Sequence, residues 1–116
     1  MTGEVAELQA RLKAFARVRE WEQFHSPKNL SMALIAEAAE LIEHFQWLSQ
    51  DESKSLTPDK LDEVALELAD IFIFLLRISD ELGIDLMASA QRKIEINEQR
   101  YPVDKVRGSA RKHNEY

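Results

Sequence analysis

Four acidic side chains form two pairs inside otherwise apolar segments of the sequence. Glu37 and Glu40 are three residues apart in IAEAAELIEHF. Glu67 and Asp70 have the same spacing in VALELADIFIFLL. A charged carboxylate in apolar surroundings is costly unless a cation or a metal ion compensates it. Because Arg77 is the only basic residue in the apolar stretch 64–78, the two pairs indicate a metal site.

The ligand type favours Mg²⁺, with Mn²⁺ as an alternative. Hard divalent cations prefer oxygen ligands, and Mg²⁺ is commonly held by a few carboxylates together with substrate phosphates. A di-iron bundle would require Glu-x-x-His pairs on its core helices, and neither acidic segment contains one. The spacing alone is also typical of a solvated helix face, since it recurs at Glu4/Glu7 and Glu95/Glu98. Ordinary solvated acids therefore stay open as the alternative.

Helical geometry separates Glu43 from the two glutamates that precede it. A helix turns by roughly 100° per residue. Glu37 and Glu40 then flank the apolar stripe through Leu34, whereas Glu43 points away from it. We expect Glu43 to face water.

Four helical segments must position the acids, and no segment shows the alternation of a strand. Apolar spacing predicts helices over about 4–24, 30–48, 58–82 and 86–100. Asn29 is the expected N-cap of the second helix, Thr57 caps the third, and Gly83 ends it. The sequence predicts an all-α fold, a four-helix antiparallel bundle in a single domain over residues 1–116, with a C-terminal tail from about 103 to 116.

The third helix predicts association between copies of the chain. Residues 64–78 are apolar on nearly every side, and one small chain can hardly cover such a helix. We expect an intimate homodimer or a homotetramer. A well-covered central helix in a monomer is the alternative.

Composition excludes several classes of function. The formal net charge is -6, which argues against a nucleic-acid-binding surface. The longest uncharged apolar run, IFIFLL, is far shorter than the roughly 20 residues of a membrane span. The N-terminal residues carry charges throughout, so a signal peptide is not predicted. The sequence has no cysteine, which fits a reducing cytoplasm.

Several motifs besides the acids resemble one enzyme family. They are WEQFHSPKNL at 21–30, FQW at 45–47, ELADIFIFLL at 67–76 and K-x-x-x-N-x-x-x-Y at 93–101. Together with the two acidic pairs, they resemble the MazG-like all-α nucleoside triphosphate pyrophosphohydrolases, in particular bacterial members of the dCTP pyrophosphatase branch. The resemblance covers roughly residues 10–112.

The resemblance implies a reaction and a metal site. Such enzymes use Mg²⁺ to hydrolyse a nucleoside triphosphate between its α- and β-phosphates, and they work as dimers or dimers of dimers. By similarity, the metal ligands would be Glu37, Glu40, Glu67 and Asp70. One of the three glutamates would also orient or deprotonate the attacking water. The implied cellular role is cleansing of the nucleotide pool, with dCTP or a related or modified deoxynucleotide as substrate.

The resemblance also implies residues that contact the substrate. Lys93 and Asn97 would contact phosphate or sugar, and Tyr101 would line the pocket. Trp21 and Trp47 match aromatic positions that flank the base. Packing in the core or at an interface is the alternative for both tryptophans.

Two positions depart from the animal members of that branch and leave the base preference open. Phe74 occupies the position of a pocket tyrosine, and Leu12 that of a pocket histidine. Two alternatives to the leading function remain. One is a related diphosphatase that acts on another nucleotide such as dUTP. The other is a non-enzymatic helical module whose acidic stripes bind a basic partner.

Overall fold

The protein is described by a computed structural model over residues 3–115, apart from the side chain of residue 113. The helices in chain order are α1 (Gly3–Val18), α2 (Pro27–Glu43), α3 (Gln50–Ser53), α4 (Pro58–Glu81), α5 (Leu86–Arg100) and α6 (Val103–Val106). Short 3₁₀ turns cover Glu22–Phe24 and His113–Glu115. No β-strand occurs within residues 3–115, so the all-α class is confirmed.

The first connection differs from the prediction, because α1 ends at Val18 and not near residue 24. Glu20 adopts a positive φ of 55°, a conformation that ends a helix because it cannot continue the right-handed turn. The N–H of Trp21 then donates to the carbonyl of Ala16 at 2.9 Å. Trp21 therefore lies in a connection rather than on a helix face.

The start of α2 also differs from the prediction, because Asn29 is not its N-cap. The Ser26 hydroxyl accepts from the N–H of Asn29 at 3.2 Å, and Pro27 takes the first helical position. Proline suits that position because its fixed φ is helical and the missing N–H has no helical acceptor there. The Asn29 side chain instead donates to the carbonyl of Phe24 at 3.1 Å.

Two further expectations about helix ends are wrong. α2 stops at Glu43 rather than near residue 48, and the loop after it contains α3, capped by Ser49 and Glu52 in a reciprocal capping box. The predicted tail contains α6. In contrast, Thr57 caps α4 as predicted, and Gly83 follows that helix with a positive φ of 66°.

Within the described residues, the chain divides into two compact units, 3–84 and 85–115. In the first unit, α4 packs against both α1 and α2. The buried apolar side chains are Ala16, Leu30, Val64 and Leu76. The Gln9 amide joins α1 to α4, since it donates to the carbonyl of Leu76 at 3.3 Å and to the Ser79 hydroxyl at 3.4 Å.

The second unit consists of α5, α6 and the segment that follows. Asp85 caps α5 by accepting from the N–H of Ala88 at 3.1 Å. Tyr101 ends α5, and its N–H donates to the carbonyl of Asn97 at 2.8 Å. The place of α5 in a four-helix bundle stays a prediction.

One face of α4 remains apolar and exposed in the single chain. Leu61, Leu68 and Phe72 are separated by seven and four residues, which puts them on the same side of the helix. They are 57%, 52% and 43% exposed. Within residues 3–115, no helix is both long enough and apolar enough to cross a bilayer.

Leu76→Ala tests whether the contact of α4 with its neighbours holds the first unit together. Leu76 is 1% exposed. Its truncation should lower the free energy of unfolding by about 2–5 kcal/mol, since it removes buried methyl groups and leaves a cavity. Urea denaturation measures the change. Val18→Ala, at a side chain that is 75% exposed, should stay within about 0.5 kcal/mol of the wild type. Equal effects of the two substitutions would contradict this view of the core.

Candidate metal site and aromatic cavity

Helices α2 and α4 bring three of the four predicted metal ligands together. Carboxylate oxygens of Glu37 on α2 and of Glu67 and Asp70 on α4 all lie within 4.8 Å of one another. Oxygen ligands at about 2.0–2.6 Å from a divalent cation are at most about 4–5 Å apart. These three oxygens are therefore close enough to bind a single ion.

Glu40, the fourth predicted ligand, lies beside the other glutamates on the more exposed side of the cluster. The pKa of Glu37 is raised from 4.5 to about 7, first by burial, then by the neighbouring Glu40 carboxyl, and then by the charges of Asp70 and Glu67. Burial and Glu40 also raise the pKa of Glu67, although His44 opposes this shift. The cluster therefore holds more negative charge than its surroundings stabilise.

Two oxygens of the cluster have unmet bonding capacity. Oε2 of Glu37 and Oε2 of Glu67 are buried and have no hydrogen-bond partner among the described residues. A buried polar atom without a partner is unfavourable, and a cation would satisfy both oxygens at once. The donor set consists of carboxylates, which suits a hard divalent ion. The residues thus fit a divalent metal.

The basic residue that could have neutralised the cluster is bound elsewhere. The Arg77 guanidinium is 3% exposed. It donates to Glu81 at 2.9 Å and lies 3.6 Å from Asp80, both on α4. Arg77 therefore compensates acids one turn further along its own helix and not the cluster.

Trp21 and Phe74 line the same cavity, which has a volume of about 240 Å³ and almost entirely apolar walls. Phe15 and Leu12 complete much of its lining. The ring of Trp21 meets Phe15 edge-on, with 5.8 Å between the ring centroids. The cavity can therefore hold a flat apolar or aromatic group against aromatic faces.

Trp47 lies apart from this cavity. It follows the end of α2 in a turn and is 87% exposed. The burial expected of a core residue is therefore not found in the single chain, while contact with a base or with another subunit stays a prediction.

The predicted substrate residues of α5 belong to the second unit. Lys93 and Asn97 are one turn apart on α5, and both are exposed. Tyr101 is half-buried at the C-terminal end of the helix. Their roles stay predictions.

A contact between His25 and Arg77 was not expected from the sequence. The Arg77 guanidinium lies 3.3 Å from Nδ1 of His25. Burial lowers the pKa of His25, and the Arg77 charge lowers it further. Because neutral His25 then accepts from Arg77, this contact ties the connection that carries Trp21 to α4. The residues are 52 positions apart, so no local pattern could have revealed the pair.

The pKa of Glu37 predicts a pH dependence of stability in the metal-free protein. Between pH 4.5 and about 7, folded Glu37 keeps a proton that the unfolded chain releases. The free energy of unfolding should therefore fall as the pH rises through this range. Urea denaturation in EDTA at pH 5 to 8 measures this slope.

Substitutions isolate the contribution of Glu37 from those of other titrating groups. Glu37→Gln should remove part of the decline in the free energy of unfolding with rising pH. Glu43→Gln, at an exposed position on the same helix, should retain the full decline. A slope unchanged by Glu37→Gln would show that this carboxyl is not the buried, charge-repelled group described above.

Comparisons with known proteins agree with the acidic site. A family model described as MazG-like matches residues 33–115. dCTP pyrophosphatase 1 of Mus musculus is 41% identical over 103 residues, which are 87% of this chain and 61% of that protein. The Homo sapiens protein of the same name is 39% identical over the same shares. The chain thus spans about three fifths of the length of these curated relatives.

A solved structure gives the same result at the level of the fold. The crystal structure of a pyrophosphatase from Archaeoglobus fulgidus superimposes with a TM-score of 0.82 at 38% sequence identity. The match covers 88% of this chain and 95% of that one. The sequence match and the structural match together show that the chain belongs to the MazG-like family.

Proposed function

We propose that the chain is a Mg²⁺-dependent nucleoside triphosphate pyrophosphohydrolase that converts dCTP, or a related or modified deoxynucleotide, to the monophosphate and pyrophosphate. The observation that carries the proposal is the cluster of Glu37, Glu67 and Asp70, with two buried oxygens that lack hydrogen-bond partners in the described part of the chain. Membership of the MazG-like family and the names of the relatives support the same reaction.

The carboxylates have distinct parts in this proposal. Glu37, Glu67 and Asp70 would bind the ion, with Glu40 as a fourth ligand on the open side. A bound Mg²⁺ would offset the charge of the triphosphate and lower the pKa of a water molecule that it binds. Glu40 is the most exposed of the three glutamates, which suits it to orient the attacking water. Glu37 and Glu67 are the other candidates for that role.

The aromatic cavity would receive the base. Stacking against Trp21 and Phe74 suits any base, since every base has a π face. Trp47, Lys93, Asn97 and Tyr101 are assigned to the substrate by resemblance. A cytoplasmic location and a role in cleansing the nucleotide pool complete the proposal.

A homodimer, alone or within a homotetramer, is part of the proposal. Leu61, Leu68 and Phe72 form an apolar face of α4 that the single chain leaves exposed. A contiguous exposed apolar surface is typical of an interaction site. A second copy of the chain would cover this face and remove its contact with water.

The two alternatives from the sequence differ in their support. A module that binds a basic partner needs exposed acids, whereas the Glu67 side chain is only 21% exposed. A related diphosphatase acting on dUTP would use the same acids. Only the substrate distinguishes it from the proposed pyrophosphohydrolase.

A panel of nucleoside and deoxynucleoside triphosphates with Mg²⁺ tests the reaction. The products should be a monophosphate and pyrophosphate, with dCTP among the best substrates. Glu67→Ala should lower turnover by at least about 100-fold, since losing a ligand costs more than losing the groups that support it. Glu43→Ala is the matched control on α2 and should keep wild-type turnover. Release of orthophosphate, or full turnover by Glu67→Ala, would refute the proposal.

The apolar face of α4 has its own test. The wild type should sediment as a dimer or a tetramer. Leu68→Lys should shift the mass toward the monomer, because it places a charge in an apolar interface. Val18→Lys, at another exposed apolar position, should leave the mass unchanged. A monomeric wild type would exclude the homo-oligomer.

A further inference from the structure

We propose that Lys60 and His44 form a positioning pair, in which Lys60 fixes the tautomer of His44 and His44 holds the Glu67 carboxylate ready for the metal. The inference rests on the proposed function, because Glu67 must be a metal ligand. Neither residue is one of the acids, and neither would touch the ion.

Contacts within the first unit carry the inference. His44 is the C-cap residue of α2, and its side chain is 16% exposed. Its Nδ1 lies 3.2 Å from Nζ of Lys60, in the first turn of α4. Its Nε2 lies 3.6 Å from Oε1 of Glu67, two turns further along the same helix. The imidazole therefore lies between an ammonium group and the metal cluster.

Hydrogen-bond chemistry decides which nitrogen of His44 carries the proton. A lysine ammonium has three donors and no acceptor. The nitrogen that faces Lys60 must then accept, so Nδ1 carries no hydrogen. In the neutral ring the proton is on Nε2, and this N–H points toward Glu67.

One other group competes for Nδ1. A Glu63 carboxylate oxygen lies 3.8 Å from Nδ1 and would favour a proton there. Lys60 is nearer to Nδ1, at 3.2 Å, and also pairs with Glu63 at 3.3 Å. Lys60 therefore satisfies Glu63 and donates to the ring at the same time, which keeps the proton on Nε2.

The two carboxylate oxygens of Glu67 have different roles in this arrangement. Oε1 faces the Nε2–H of His44. Oε2 is buried and has no hydrogen-bond partner among residues 3–115. The distance of 3.6 Å between Nε2 of His44 and Oε1 of Glu67 would become that of a hydrogen bond if it shortened by about 0.5 Å. Holding Oε1 in this way fixes the rotation of the carboxylate and leaves Oε2 for the ion. Outer partners of metal-binding carboxylates typically contribute 10–100-fold to metal affinity.

Two substitutions at His44 separate hydrogen bonding from packing. Glutamine has an acceptor and a donor on one side chain, so His44→Gln can accept from Lys60 and donate to Glu67. Leucine occupies a similar volume but can do neither. Binding of Mn²⁺ without substrate, measured by electron paramagnetic resonance, gives a readout that does not depend on turnover. His44→Leu should bind about 10–100-fold more weakly, whereas His44→Gln should recover most of the affinity.

Lys60 provides a second route if His44→Leu fails to fold. Lys60 is 40% exposed, so Lys60→Met should fold, and it should weaken Mn²⁺ binding by releasing the tautomer of His44. Lys54→Met is the matched control at an exposed lysine and should bind as the wild type does. In turnover assays, the pair variants should need more Mg²⁺ for half-maximal rate and approach the wild-type kcat at saturating Mg²⁺.

The outcomes distinguish the pair from the metal site itself. If Glu67→Ala loses Mn²⁺ but His44→Leu and Lys60→Met bind it as the wild type does, the pair is refuted and the metal site stands. If Glu67→Ala binds Mn²⁺ normally, both the metal site and the pair are refuted. Equal losses of Mn²⁺ affinity in His44→Gln and His44→Leu would show that restoring the acceptor and the donor does not restore the site, which also overturns the proposal.

Discussion

Mutual repulsion among closely spaced carboxylates between α2 and α4 is the constraint on which the structure depends. Carboxylate oxygens of Glu37, Glu67 and Asp70 lie within 4.8 Å of one another, so three ionised acids would repel one another and oppose the packing of α2 against α4. Partial protonation of Glu37 relieves this repulsion, and a divalent cation would relieve it more completely.

α4 carries two charged regions that the fold keeps apart. Near its middle, Glu67 and Asp70 lie close to Glu37 of α2. Toward its C-terminal end, Arg77 is enclosed with Asp80, Glu81 and His25. Seven residues, about two turns, separate Asp70 from Arg77. Because Arg77 binds Asp80 and Glu81, it does not compete with a cation for the cluster. Its contact with His25 stabilises the connection between α1 and α2.

Local patterns predicted the class and the acids, but they could not predict contacts made by distant residues. Apolar spacing and three-residue pairs reflect helical geometry, which a short window contains, so the four long helices and the exposure of Glu43 are confirmed. The end of α1 was wrong because Glu20 adopts a positive φ that its residue type does not favour. The contact of His44 with Lys60 depends on the packing of α2 against α4 and has no sequence signature. The positions of the α5 residues relative to the acids stay predictions for the same reason.

The aromatic cavity has consequences for how a base would be selected under the proposed function. Leu12 and Phe74 in its walls offer no hydrogen-bonding group. The polar groups at the cavity are the indole N–H of Trp21 and the side chains of His25 and Arg77, which contact each other at 3.3 Å. A site that hydrogen-bonds its ligand rejects analogues strongly, whereas an apolar pocket discriminates by only about 10–200-fold. Shape and stacking would then dominate selection of the base. The carboxylates would act on the phosphates through a bound metal, so the reaction itself would not depend on which base is bound.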